Sequence, residues 1–257
     1  MGALHGGHIS LVEQCRQENG VSVCSIFVNP TQFNNAEDLQ KYPRTLENDS
    51  QMLQSACCDV LFAPSVKEMY PNKNDQKPHY DFGYLDTIME GKHRKGHFNG
   101  VGIVVSRLLD IVEPDTLYLG QKDYQQCMVI KKLIEILGYT HLKLQICETK
   151  REDNGLAMSS RNTRLTPSER QKASVIYQIL KTIDQNKNTK TVEDCEQWAM
   201  DELAKHHDIT PEYAQIANAQ NLKPITHWHE CQQHVVCIAA YVGSVRLIDN
   251  LILDQDI

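Results

Sequence analysis

Between residues 9 and 147, short apolar runs of strand length alternate with segments of helical period, and this alternation leaves few ways to fold. Ile9, Leu11, Val12 and Cys15 mark a helix face, and Val21 to Val28 reads as a buried strand. Leu46, Leu53 and Ala56 predict a helix ahead of a short strand at Val60 to Ala63. Val101, Val104, Val105, Leu108 and Val112 predict a long helix, followed by a strand at Thr116 to Leu119. A helix from about Tyr124 to Leu137, with Gly138 as its C-cap, then leads to a strand at Leu142 to Cys147. Strands interleaved with helices close into a parallel sheet through right-handed crossovers. The expectation is an α/β fold, a doubly wound parallel sheet.

The last third reads differently. Thr166-Pro167-Ser168-Glu169 is a capping box with Pro at the first helical position, so one helix should run to about Asp184. Polar residues 185–190 form a loop, and Thr191-Val-Glu-Asp194 opens another helix. Val235 to Tyr241 and Val245 to Ile248 flank Val242-Gly243-Ser244, the pattern of an antiparallel hairpin. At about 150 residues per domain, 257 residues allow two. We expect a first domain over 1–148 and a smaller α+β lid domain over 149–257. The connecting segment Glu148 to Asn162, with a Gly and several polar residues, suits both a hinge and an active-site loop.

Composition narrows the function. With 26 basic against 33 acidic side chains the net charge is −7, which disfavours a dedicated nucleic-acid binder. Nine cysteines, without a C-x-x-C pair, suit reduced thiols better than a disulfide framework. The chain opens on Met1-Gly-Ala-Leu-His5 with no basic and apolar leader, and it contains no run of membrane-spanning length. The expected location is the cytoplasm.

Three segments carry chemistry. His5-Gly6-Gly7-His8 opens the first helix: histidines at i and i+3 share a face, and the glycines admit a ligand to the backbone. A helix N-terminus already offers N–H groups and partial positive charge to phosphate. Gly120-Gln121-Lys122-Asp123-Tyr124-Gln125-Gln126 follows a strand directly, at the sheet end where ligands of open α/β folds bind. Lys122 supplies a point charge for phosphate; Asp123 suits a ribose hydroxyl or a metal. Gly155-Leu-Ala-Met158-Ser159-Ser160-Arg161-Asn162 places two hydroxyls and a guanidinium in sequence, able to clamp phosphate oxygens. A fourth stretch, Lys92-His93-Arg94-Lys95-Gly96-His97, reads equally as an anion-attracting loop or a solvated basic turn. Neither G-x-G-x-x-G nor a P-loop occurs. His227, His229, Cys231, His234 and Cys237 crowd together, but their spacing matches no zinc knuckle.

The His-x-Gly-His helix start and the Met-Ser-Ser-Arg loop together resemble the two signatures of the nucleotidyltransferase superfamily. The likeness extends further. Residues 1–8, Ser25-Ile-Phe-Val-Asn-Pro-Thr-Gln-Phe33, Tyr42-Pro-Arg-Thr45, Gly96-His-Phe-Asn-Gly-Val101, Gly120 to Gln126, Gly155 to Asn162 and Arg246-Leu-Ile-Asp-Asn250 resemble the pantothenate synthetase family in the same order.

That resemblance implies a Rossmann-like ATP- and pantoate-binding domain and condensation of (R)-pantoate with β-alanine through a pantoyl adenylate, releasing AMP and pyrophosphate. It implies that His5 and His8 hold phosphates, His8 as proton donor, with Lys122 neutralising charge and Ser159, Ser160 and Arg161 closing over them. ATP would also meet Met1, Gly2, Ala3, Leu4, Gly6, Gly7, Gly120, Gln121, Asp123, Lys150 and Met158; Gln32 and Gln126 would hold pantoate, with β-alanine entering near Gln32. Mg²⁺ would travel with the triphosphate, its protein ligands unassigned, and the chain would form a homodimer through its first domain, with no nucleic-acid or membrane partner. Three departures stand out. The family has a first strand and a Pro-Thr pair ahead of the His motif, so one central strand is expected to be missing before Met1. Lys95 stands where Pro is usual, and Lys150 where an apolar residue is common. The competing readings are a nucleotidyltransferase with another acceptor and an inactive nucleotide-binding homologue.

Overall fold

The computed structural model describes residues 1–33, 39–40, 42–71 and 78–253. The chain divides into two compact units, one of residues 1–120 and 125–147, the other of residues 121–124 and 148–257.

The first unit is α/β. Helix α1 (Gly6–Glu18) leads to strand β1 (Val23–Ser25), α2 (Leu46–Ser55) to β2 (Val60–Phe62), and the short helices α3 (Val66–Met69) and α4 (Met89–His93) to the long helix α5 (His97–Val112). Strand β3 (Thr116–Gly120), helix α6 (Tyr124–Leu137) and strand β4 (Lys143–Cys147) complete it. Strand pairing is parallel throughout, but among the described residues the sheet comes as two pairs, β1 with β2 and β3 with β4. The predicted Val21 to Val28 strand shrinks to three residues, and Val21 and Val23 are exposed rather than buried; among the described residues β1 pairs with β2 alone. Helix α6 keeps its predicted bounds, and Gly138 adopts φ +71°, the left-handed turn that closes a helix.

Helix α5 starts four residues earlier than its valine pattern predicts, and Gly100 explains why it packs so closely. A Cβ there would stand 2.3 Å from the carbonyl oxygen of Thr31, in the turn Pro30–Gln32. The fully buried Asn29 bridges the two segments: its Nδ2 donates to the Gly100 carbonyl at 3.1 Å.

The second unit is α+β. Strands β5 (Ile209–Asn218), β6 (His234–Val242) and β7 (Val245–Leu253) form an antiparallel sheet in the order β5-β6-β7. Helices α7 (Pro167–Ala173), α8 (Val175–Asn186) and α9 (Val192–Ala204) complete the unit, and buried Ile176, Ile179, Leu180, Ile183, Ala199 and Leu203 join Ile216, Val236 and Ile238 in one core. The single helix expected over 166–184 is two: Ser174 turns its hydroxyl back onto the Gln171 carbonyl at 2.7 Å, competing with the backbone ladder. The predicted hairpin is longer than expected, and β5 joins it as an unforeseen third strand. Residues 121–124 belong here in part through Tyr124, whose hydroxyl donates to the Ala219 carbonyl at 2.7 Å. Among the described residues no helix is long and apolar enough to cross a membrane.

Replacing Gly100 by alanine should lower stability by about 1–3 kcal/mol through overpacking against backbone, a loss on the order of 2–10 °C in thermal unfolding. The control is Gly20→Ala, where a Cβ meets nothing within 4 Å and little change is expected; equal melting temperatures for both variants would contradict the packing argument.

Candidate active site

In the first unit, the loop of residues 1–5 feeds α1 through two left-handed residues, Gly2 at φ +90° and Ala3 at φ +52°. Glycine adopts this backbone freely; alanine adopts it only where surroundings hold it. The fully buried carboxylate of Asp49 on α2 does so: Oδ2 accepts the Ala3 N–H at 2.9 Å, and Oδ1 accepts the Leu4 N–H at 2.8 Å. Thr45 donates its hydroxyl to the same carboxylate at 3.1 Å.

The loop delivers His5 as the N-cap of α1. His5 Nδ1 accepts the Gly7 N–H at 3.2 Å, and His8 Nδ1 accepts the His5 N–H at 3.3 Å, a reciprocal capping box made of two imidazoles. With each Nδ1 accepting, a neutral ring carries its proton on Nε2. The two rings stand 4.0 Å apart between centroids, at a helix end whose backbone N–H groups and dipole favour an anion. The site can therefore present two imidazole N–H donors to phosphate oxygens.

Gln32, nearly buried, lies in the turn Pro30–Gln32. Its Oε1 accepts from Asn29 Nδ2 at 3.3 Å, and its Nε2 faces the Met1 sulfur. The structure thus brings Gln32 to the loop of residues 1–8. The carbonyl of Gln32 accepts from Nδ1 of buried His97 at 2.9 Å. So the basic stretch 92–97 is neither purely solvated nor purely anion-attracting: His97 supports the Gln32 turn, and Arg94 pairs with Glu90 at 3.5 Å. Gly120 ends β3, and Gln126 is half-buried in the first turn of α6.

In the second unit, Gln121, Lys122 and Asp123 form a single helical turn, with Lys122 Nζ 3.6 Å from Asp123 Oδ2. The segment 150–158 folds back on itself: Met158 N–H donates to the Lys150 carbonyl at 2.9 Å, and Arg151 bridges to Ala157. Ser159 then caps the turn Ser160–Arg164, its Oγ accepting the Arg161 N–H at 3.2 Å. Lys122 and Ser159 line one small cavity together with Asn162, Tyr177 and Asp249. Buried Asn162 fixes the segment through Nδ2, which donates to Glu152 Oε1 at 2.8 Å and the Ala157 carbonyl at 3.0 Å, while its Oδ1 has no partner among the described residues.

Two histidines of the late histidine and cysteine cluster make contacts within their own segment. His234 Nε2 lies 2.8 Å from the Trp228 carbonyl oxygen, and His227 Nδ1 lies 3.5 Å from Glu230. Among the described residues no group of three or more His, Cys, Asp or Glu side chains is arranged to hold a metal ion. Sequence reasoning missed Asp49 and Asn29, the two buried groups that shape the first unit's loops. Asp49 left a readable signal: Leu46, Asp49, Leu53 and Ala56 share one helix face, so a carboxylate interrupts an apolar stripe.

The parallel α/β unit opening on a histidine-capped helix is consistent with a nucleotidyltransferase-like α/β fold, followed by an α+β unit that carries the Lys turn and the Ser-Ser-Arg segment. The chain belongs to the Pantoate-beta-alanine ligase family, whose model matches residues 1–252. It is 48% identical over 255 residues to the pantothenate synthetase of Cytophaga hutchinsonii, covering 98% of this chain and 89% of that protein. The crystal structure of pantothenate synthetase from Thermus thermophilus superposes with a TM-score of 0.92 at 39% identity, covering 98% of this chain and 90% of the other. Pantoate-beta-alanine ligase from Francisella tularensis, complexed with beta-gamma ATP and beta-alanine, gives a TM-score of 0.80 at 40% identity, covering 100% and 88%.

Asp49→Ala should cost about 1–3 kcal/mol in urea unfolding by stranding the Ala3 and Leu4 N–H groups, and Asp49→Asn, which keeps one acceptor, should cost less. Unchanged stability in both variants would show that this carboxylate does not hold the loop.

Proposed function

We propose that this chain joins (R)-pantoate to β-alanine at the expense of ATP. In the first step the pantoate carboxylate attacks the α-phosphorus, forming pantoyl adenylate and expelling pyrophosphate. In the second, the β-alanine amine attacks the acyl carbon and AMP leaves, giving pantothenate. The observation that carries this reading is the His5–His8 pair at the N-terminus of α1, its Nδ1 atoms occupied by backbone N–H groups, in a chain of this family.

The residues have distinct tasks. His5 and His8 donate to phosphate oxygens, with His8 the proton donor toward the leaving pyrophosphate. Lys122 adds a fixed positive charge where negative charge grows, and Ser159, Ser160 and Arg161 hold the outer phosphates. Residues Met1 to Gly7 offer backbone to the nucleotide. Gly120, Gln121 and Asp123 line the adenosine site, and Lys150 and Met158 meet the base through the backbone that their own hydrogen bond fixes. Gln32 and Gln126 suit pantoate because an amide both donates to a carboxylate and accepts from hydroxyls. β-Alanine enters near Gln32. Mg²⁺ would accompany ATP as part of the substrate and would neutralise charge on the triphosphate. The protein acts in the cytoplasm as a homodimer through its first unit.

The decisive assay supplies ATP, Mg²⁺ and pantoate with and without β-alanine. AMP and pyrophosphate should form stoichiometrically with pantothenate only when β-alanine is present at steady state, and Lys122→Ala should lower kcat by about 10²–10³-fold, the cost of removing one charge-stabilising donor. Steady AMP release without β-alanine, or an adenylated end product, would favour another acceptor. Light scattering should give about twice 29.3 kDa.

A further inference from the structure

Strand β7 carries two adjacent polar side chains, Asp249 and Asn250, at 5% and 2% exposure. Burying such groups is unfavourable unless every donor and acceptor is matched. Each is matched by a different chemical segment of the second unit. Asn250 Nδ2 donates to the carbonyls of Gln121 at 2.9 Å and Lys122 at 2.8 Å, and its Oδ1 accepts from Gln121 Nε2 at 3.3 Å. Asp249 takes the Arg151 guanidinium in a two-pronged ion pair, Nη1 at 2.5 Å and Nη2 at 3.0 Å. The same guanidinium donates to the Gly155 carbonyl at 3.2 Å and stacks over Tyr177 at 3.7 Å from the ring centroid. Arg151 is thereby fixed at the base of the folded-back segment whose far side is Met158, Ser159 and Ser160.

Neighbouring strand residues point to opposite sides, so two consecutive positions reach two segments. Burial pushes the Asp249 carboxyl up, with the Arg151 guanidinium pulling the other way.

We propose that Asp249 and Asn250 are positioning residues that hold the Lys122 turn and the Arg151–Arg161 segment in one fixed spacing for phosphate. Neither touches the reacting atoms. Asn250 holds the turn through Gln121 and the Lys122 carbonyl, and Tyr124, directly after the turn, is held by its bond to the Ala219 carbonyl. The inference rests on the ligase reading for its chemical meaning, but its geometric content stands apart.

The test combines amide hydrogen exchange with steady-state kinetics on Asn250→Asp and Asp249→Asn, near-isosteric changes that remove the two bonds Asn250 donates and one prong and the charge of the Asp249–Arg151 pair while sparing volume. Asn250→Asp should speed exchange in residues 121–124, and Asp249→Asn in residues 149–161, with helices α8 and α9 as protected as before. Each should lower kcat by about 10²-fold, the cost of an ångström-scale misplacement, with the KM for β-alanine within threefold; Asp249→Glu should recover part of kcat. Should either near-isosteric variant unfold, Asn250→Ser and the charge-free pair Asp249→Asn/Arg151→Gln replace it in the same readouts. Unchanged exchange in both segments, or wild-type kcat in the variants, would overturn the inference. A wild-type chain inactive with pantoate and β-alanine, with variants that still show the expected segmental exchange, would overturn the ligase reading and leave the anchoring of the two segments by Asp249 and Asn250 standing.

Discussion

A carboxylate removed from water must be matched by donors or a partner charge, and in each unit one such group is matched by the chain segments that carry the chemistry. Asp49 is fully buried and accepts the backbone N–H groups of Ala3 and Leu4, two residues upstream of the histidine cap. Asp249 is nearly buried and takes Arg151 in a two-pronged pair at the base of the Ser-Ser-Arg segment. Both segments are irregular backbone, which by itself has little to hold it. Tying them to regular elements through buried polar groups converts loops into defined geometry, because a misfit would strand a charge in the interior. The same logic holds at Asn29, whose amide fastens the Gln32 turn to α5.

The parts of this architecture that depend on neighbours in sequence were readable in it. Helix α6 keeps the bounds set by its periodicity and Gly138, and Thr166 and Glu169 form the reciprocal cap that their spacing predicts. The His5–His8 pair was legible because i and i+3 share a face, although the sequence did not show that the two rings would cap the helix themselves. Strand β5 escaped notice because Pro211 and Glu212 break its alternation, and the structure absorbs them as an irregularity between Pro211 and Tyr213. The break falls at Ser174, whose hydroxyl bonds to the Gln171 carbonyl, a local choice that periodicity cannot see.

The anchors were harder still. Asp49 bonds to residues 45 and 46 positions away, and Asn250 to a turn 128 and 129 positions away. No local pattern encodes such a distance. The segment Arg246 to Asn250 stood out only by family likeness; the reason for its last two residues is the pair of segments they hold. Arg246 itself serves the sheet, pairing with Glu212 of β5 across β6.

From these constraints the chemistry follows in order: tautomer-fixed imidazoles at a helix N-terminus, a lysine in a strapped turn and a serine-capped arginine segment are suited to steadying a triphosphate while its α-phosphorus is attacked. The most direct test uses pantoate labelled with ¹⁸O in its carboxylate. Attack on the α-phosphorus transfers one labelled oxygen to AMP, visible by mass spectrometry. The account predicts AMP carrying a single ¹⁸O; unlabelled AMP, or label appearing in inorganic phosphate with ADP as the nucleotide product, would contradict it.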